Sequence, residues 1–326
     1  MSLAIAVNTS SAKRVPRVSI CVPTYNRPAE LREALASVLA QTVTDLEVVV
    51  TDDSDRREDL TPEFADDRLR YYANSERLGM AANWQRALSL ARGRFIGLLM
   101  DDDRLLPTFI ERCLAAFAAD PTIGVVFTNH FFDDGVRFAP RASLIGEGTY
   151  QHFLPLLLRY KPVAICATLM RREVWDEVLP VPDMHTADLA LHIRAAQSGW
   201  AFHYIDEPLM VYRVNHGQLS GQIGFRDHGV ALWRLFRFEE GSEEEVQRRH
   251  LFAEALLSSA AAHMQRGDFG RAKELAQEAA AVGVRSSSEL TRRARVISAI
   301  SKSRLAMNCA AKGFNLTRSV RGLLGL

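Results

Sequence analysis

Strands that alternate with helices, acidic clusters at the ends of two of those strands, and a strand-free run of helix formers beyond about residue 235 predict an α/β protein. The expected architecture is a mostly parallel, Rossmann-like sheet flanked by helices, followed by an α-helical C-terminal region.

The elements follow in order. Val18-Ser19-Ile20-Cys21-Val22 is a run of β formers halted by Pro23, and from Pro28 to Gln41 the apolar positions Leu31 and Leu39, with the alanines, recur at helical spacing. Leu46 to Val50 reads as a second buried strand that ends on the turn formers Thr51-Asp52-Asp53-Ser54. Arg70 to Tyr72 reads as a short third strand and Met80 to Arg92 as a helix closed by Gly93. Phe95 to Met100 reads as a fourth strand, ending on Asp101-Asp102-Asp103. Such sheets bind ligands beyond the carboxyl ends of their strands, where both acidic clusters fall. Further on, the pattern predicts a helix from Pro107 to about Ala119 and a strand over Ile123 to Thr128. It predicts irregular chain over 129–165, then strands at Ala167 to Met170 and Ala201 to Ile205 around a helix from about Thr186 to Ser198.

At 326 residues the chain has room for one large domain and an appendage. The expected division is a tail over 1–16, an α/β domain over 17–235 with halves meeting near 128, and helices over 236–326, where Ala253 to Gly283 resembles a single tetratricopeptide unit. A composition 48% hydrophobic and 24% charged, with a net charge of +1, is ordinary for a globular protein and gives no bias toward nucleic acid. The four cysteines form no CxxC pair, so neither a zinc site nor a disulfide framework is indicated, and a reducing cytoplasm fits. The short apolar stretch Leu3 to Val7 lacks the flanks of a secretory signal, and no apolar run approaches the roughly 20 residues needed to span a bilayer.

Clustered carboxylates at a strand end suit Mg²⁺ or Mn²⁺, whose remaining positions phosphate oxygens can fill; three consecutive aspartates also make a solvated turn. Several blocks in order decide between these. They are Val18 to Arg27 (VSICVPTYNR), Ser37 to Thr42, Leu46 to Ser54, Gly93 to Pro107 and Tyr212-Arg213-Val214-Asn215-His216. With them, residues 17 to about 220 resemble the family 2 glycosyltransferases, which have the GT-A nucleotide-diphospho-sugar transferase fold.

The resemblance implies an inverting, metal-dependent transfer of a sugar from a nucleotide diphosphate donor, UDP- or dTDP-linked, to an acceptor hydroxyl of a glycan, a lipid-linked glycan or a small molecule. It assigns Pro23, Thr24, Tyr25 and Arg27 to one wall of the nucleotide pocket and Asp53 to the base, with Asp52 the more structural of the pair. The family's Asp-x-Asp-Asp, three residues, Pro pattern, anchored on Pro107, puts Met100 at the first aspartate. Asp102 is then the direct metal ligand, with Asp101 toward the ribose and Asp103 and His216 as further metal-side residues; a slip of one residue makes Asp101 and Asp103 the pair. Asp188, early in a helix, corresponds to the catalytic base, although Ala187 stands where a second acidic residue is usual, and Asp188 also suits a helix N-terminus. Arg213 corresponds to a diphosphate contact.

Two rival readings are a nucleotidyltransferase of related topology, which would need a glycine-rich basic loop where Pro23-Thr24-Tyr25-Asn26 stands, and a catalytically silent nucleotide-sugar scaffold. From Arg285 onward nine basic residues face one acidic residue, Glu289, among apolar positions. Such helices are candidates for peripheral contact with an anionic inner membrane face, for packing against the first domain, or for homo-oligomer formation.

Overall fold

The computed structural model describes residues 15–214 and 223–282. In chain order the elements are β1 (Val18–Thr24), α1 (Pro28–Leu39), β2 (Leu46–Asp52), α2 (Thr61–Phe64), β3 (Leu69–Ala73), α3 (Met80–Leu90), β4 (Phe95–Leu98), β5 (Arg104–Leu105) and α4 (Phe109–Ala119). There follow β6 (Ile123–Asp133), β7 (Phe138–Pro140), β8 (Gly148–Tyr150), α5 (Leu154–Tyr160), β9 (Thr168–Arg171), α6 (Arg172–Val178), α7 (Ala187–Gln197) and β10 (Ala201–Arg213). The helices α8 (Ile223–Leu235), α9 (Glu243–Gln265) and α10 (Phe269–Ala281) complete the described chain.

These strands form one sheet in the order β3-β2-β1-β4-β9-β6-β10-β5, with β7 pairing β6 and β8 pairing β10. The pairs β3-β2, β2-β1, β1-β4 and β6-β10 are parallel, whereas β9 runs antiparallel between β4 and β6. Because successive strand residues point to opposite faces, each strand feeds two cores. Ile20, Val48 and Phe95 pack with Leu35 of α1 and Phe109 and Ile110 of α4 on one face. Cys21, Val49 and Ile96 pack on the other with Ala87 of α3, Trp175 of α6 and Leu191 of α7. The described cysteines, Cys21, Cys113 and Cys166, are free and buried.

Close approach at the amino ends of the strands depends on Gly93, where a Cβ would lie 2.6 Å from the backbone nitrogen of Ser19. Beside it the buried carboxylate of Glu47 receives Ser19 Oγ, Arg70 and Arg92 at 2.6–2.8 Å. Burial alone would raise its pKa; the hydrogen bonds from Arg92, Ser19 and Arg70 bring it below the ordinary value.

Residues 129–165 are more regular than their mixed polar and aromatic texture predicts. β6 continues to Asp133, β7 and β8 add three residues each, and α5 packs Leu157 and Leu158 into the core. Most side chains of β7 and β8 are solvent-facing, so no period-2 burial signal marks them; they exist through pairing with β6 and with β10, the latter distant in sequence.

The helical region joins the same core, since Trp233 and Phe236 near the end of α8 and Phe252, Leu256 and Leu257 of α9 pack in the cluster that holds Phe153 and Leu157. α8 thus begins before residue 235 and packs with the helices that follow. Ser242 caps α9 by accepting from the Glu245 amide at 3.1 Å, and Asp268 caps α10 by accepting from the Arg271 amide at 3.1 Å. Gly267, in a left-handed conformation at φ 83°, turns the α9–α10 hairpin. The basic stretch from Arg285 lies outside the described residues, as do residues 1–14. No described helix is long and apolar enough to cross a membrane.

Candidate active site

The acidic trio follows β4 and leads directly into β5, which pairs with the far end of β10. The trio therefore lies at the carboxyl edge of the sheet, and its members have distinct partners although all three are buried, at 2–8% exposure. Asp101 accepts from Thr24 Oγ1 at 2.8 Å, the Tyr25 amide at 3.2 Å and Arg27 Nη1 at 3.1 Å. Asp102 Oδ2 accepts from the same Arg27 nitrogen at 2.7 Å. Asp103 Oδ1 accepts from the Arg213 amide at 2.9 Å and also takes the Cys166 thiol proton in a hydrogen bond.

These carboxylates are short of positive charge. Burial, opposed by Arg27 and Thr24, pushes Asp101 up to about 6, and burial with the neighbouring charge of Asp102 pushes Asp103 up to about 7. The carboxylates offer hard oxygen donors, and one guanidinium stands between two of them, which is the donor chemistry that Mg²⁺ or Mn²⁺ would match. Among the described residues no group of three or more His, Cys, Asp or Glu is arranged to hold a metal ion by itself. His216 lies outside the described residues.

The residues expected to form a nucleotide wall lie at the ends of β1 and β2. Pro23 and Thr24 are buried at the end of β1, while Tyr25 is half-buried with Arg77 over its ring at 4.3 Å. One face of Tyr25 is thus covered by a protein cation, leaving the other for any further stacking. Asp53 receives Asn74 Nδ2 at 3.0 Å and the amides of Leu78 and Gly79 at 2.7 and 2.8 Å. It holds the entry to α3, where Gly79 has φ 84°, and these bonds use about three of the roughly four lone-pair sites of its carboxylate. Asp52 accepts from Tyr71 Oη at 2.6 Å and from the Ser54 amide at 2.8 Å, a structural role.

Arg213 reaches the site through its backbone. Its amide meets Asp103, while its guanidinium pairs with Glu33 of α1, which also receives Arg104 at 3.4 Å. Glu33, a partner invisible across so long a sequence separation, thus engages the guanidinium expected to contact a diphosphate. Asp188 lies in the first turn of α7, half-buried, its pKa raised by burial against the amides of Leu189 and of its own residue. Burial raises the hydroxyl pKa of Tyr212, and so do the charges of Cys166, Asp103, Asp102 and Asp188. Cys166, Arg77 and Asn74 carry no local signal that sequence reasoning could have used to give them these places.

A family model described as "Glycosyl transferase family 2" matches residues 19–179, the segment from β1 through the end of α6. This segment is a family 2 glycosyltransferase domain. Among curated proteins it is similar to the chondroitin synthase of Escherichia coli, 36% identical over 136 residues, which is 38% of this chain and 18% of that protein. The chain thus spans under a fifth of that relative's length. Among solved structures, S. aureus TarS 1–349 in complex with UDP-GlcNAc superposes with a TM-score of 0.67 at 16% identity, covering 91% of this chain and 92% of that one. The mannosyltransferase PcManGT from Pyrobaculum calidifontis, in complex with GDP-Man and Mn²⁺, gives a TM-score of 0.52 at 20% identity over 93% and 88% of the two chains. At such identities the likeness is one of fold, and the fold is the GT-A fold with helices appended. The family 2 domain presents the aspartate trio at the edge where sheets of this kind take their ligands.

Proposed function

We propose that the protein transfers a sugar from a nucleotide diphosphate donor to an acceptor hydroxyl with inversion at the anomeric carbon. The observation that carries this reading is the buried trio Asp101, Asp102 and Asp103 at the carboxyl edge of the sheet in a family 2 domain. The nucleotide lies along Pro23, Thr24 and Tyr25, with Asp53 at the base and Asp101 at the ribose. UDP- and dTDP-sugars suit an acidic acceptor for the imide N–H, and the TarS neighbour that holds UDP-GlcNAc supports a UDP donor.

Asp188 acts as the base. Burial raises its pKa, which makes the carboxylate a better proton acceptor than an exposed aspartate, and the ionised form takes the proton of the acceptor hydroxyl as that oxygen attacks the anomeric carbon. The new C–O bond forms as the bond to the diphosphate oxygen breaks, and the diphosphate leaves with the bonding pair. Arg213 serves the departing diphosphate by exchanging Glu33 for a phosphate oxygen. Asp102 and Asp103, with His216, would hold a divalent cation; when bound, that ion supplies positive charge against the diphosphate. The Mn²⁺ in the PcManGT neighbour supports this part of the reading. The acceptor is a glycan, a lipid-linked glycan or a small molecule. Thermal-shift titration with UDP-, dTDP- and GDP-sugars, with and without Mn²⁺, tests the donor assignment: a metal-enhanced shift with one base class is expected, and no shift with any donor overturns it.

A further inference from the structure

We propose that Arg27 makes divalent-cation binding conditional on the nucleotide diphosphate, by engaging Asp102, the cation's ligand, together with the neighbouring Asp101, until a phosphate draws it away. The inference rests on the divalent-cation reading above and concerns what this chain's own arginine does to it.

Arg27 Nη1 sits 3.1 Å from Asp101 Oδ1 and 2.7 Å from Asp102 Oδ2, so a single nitrogen bridges the two carboxylates. A cation on Asp102 Oδ2 needs a contact of about 2.0–2.6 Å and would compete for the oxygen that holds this nitrogen at 2.7 Å. Two positive groups also repel at such range. The guanidinium and the ion are therefore alternatives.

The backbone is built to let the side chain leave. Asn26, at φ 56°, is clipped to the β2 loop: its amide donates to Ser54 Oγ at 2.7 Å, its side-chain nitrogen to Asp55 at 2.9 Å, and its side-chain oxygen accepts from the Asp55 amide at 3.1 Å. The Arg27 carbonyl accepts from the Leu31 amide at 2.9 Å, which anchors it as the first acceptor of α1. None of these bonds involves the guanidinium, whose side chain is 38% exposed against 9% and 10% for its two partners. Arg27 can swing on a fixed loop while the aspartates stay. A diphosphate offers a planar guanidinium bidentate oxygens, the partner for which it would exchange two carboxylates. Metal and donor thus enter together, and the ion has low affinity for the chain alone.

The test is isothermal titration of Mn²⁺ alone into the full chain, into Arg27→Gln and into Arg27→Lys. Arg27→Gln is expected to bind Mn²⁺ about tenfold or more tightly than the unsubstituted chain, because the carboxylates lose their resident cation. Arg27→Lys, which keeps the charge, is expected to stay near the unsubstituted chain and controls for a general change at the loop. Equal Mn²⁺ affinity in the unsubstituted chain and Arg27→Gln overturns the inference and leaves the transferase reading standing. Absence of Mn²⁺ binding to all three chains overturns it together with the metal part of that reading.

Discussion

The Arg213 amide donates to Asp103 Oδ1 at 2.9 Å, tying the last residue of β10 to the turn after β4 across a separation of 110 residues. That bond, with the Cys166 thiol on the same carboxylate, gives Asp103 a positioning role, while Asp102 Oδ2 accepts from the Arg27 guanidinium.

Asp102→Asn is therefore expected to lower transfer by about 10²–10³-fold, the range for removing one electrostatic contact to a developing charge. Asp103→Asn keeps an oxygen for the Arg213 amide and is expected to be milder. Steady-state rates of the two variants check this. The reverse order would place the metal register one residue away, on Asp101 and Asp103.

Asp188→Asn is expected to retain donor binding and to lose turnover by about 10²–10⁴-fold, as for removal of a general base. Calorimetric donor titration beside rate measurement separates the two effects. Unchanged turnover would move the role to another carboxylate.

His192, on α7 one turn beyond Asp188, is buried at 1% exposure with no partner at Nε2, and burial pushes its pKa from 6.5 to about 3. Above pH 6.5 both folded and unfolded chains hold it neutral. Below that value the unfolded chain takes a proton that the folded chain refuses until about pH 3, so stability falls as pH falls through this window. His192→Leu removes the difference. Thermal melts from pH 8 to pH 4.5, read at about 0.5-unit steps, are expected to show the variant gaining on the unsubstituted chain with acidification; parallel profiles would contradict the assignment.

Much of the donor half was legible because its signals are local. Asp52-Asp53 and Asp101 to Asp103 each follow a compact β run, and strand ends at a carboxyl edge are where ligands are taken. What was not legible depends on distant partners. Glu33 claims the Arg213 guanidinium, Asn74 and Gly79 claim Asp53, and the thiol of Cys166 turns to Asp103. The extension of β6 to Asp133 and the short strands β7 and β8 escaped for the same reason, since exposed side chains carry no burial period and the pairing lies in the backbone.

The central claim is that the Asp101 to Asp103 edge of the family 2 domain promotes departure of a nucleoside diphosphate from a sugar. The most direct measurement is nucleoside diphosphate release from a panel of UDP-, dTDP- and GDP-sugars in Mn²⁺, with the unsubstituted chain and Asp102→Asn side by side. Release from at least one donor, stimulated by a glycan acceptor and lost in Asp102→Asn, is predicted. No release from any donor, or release that Asp102→Asn leaves unchanged, would contradict it.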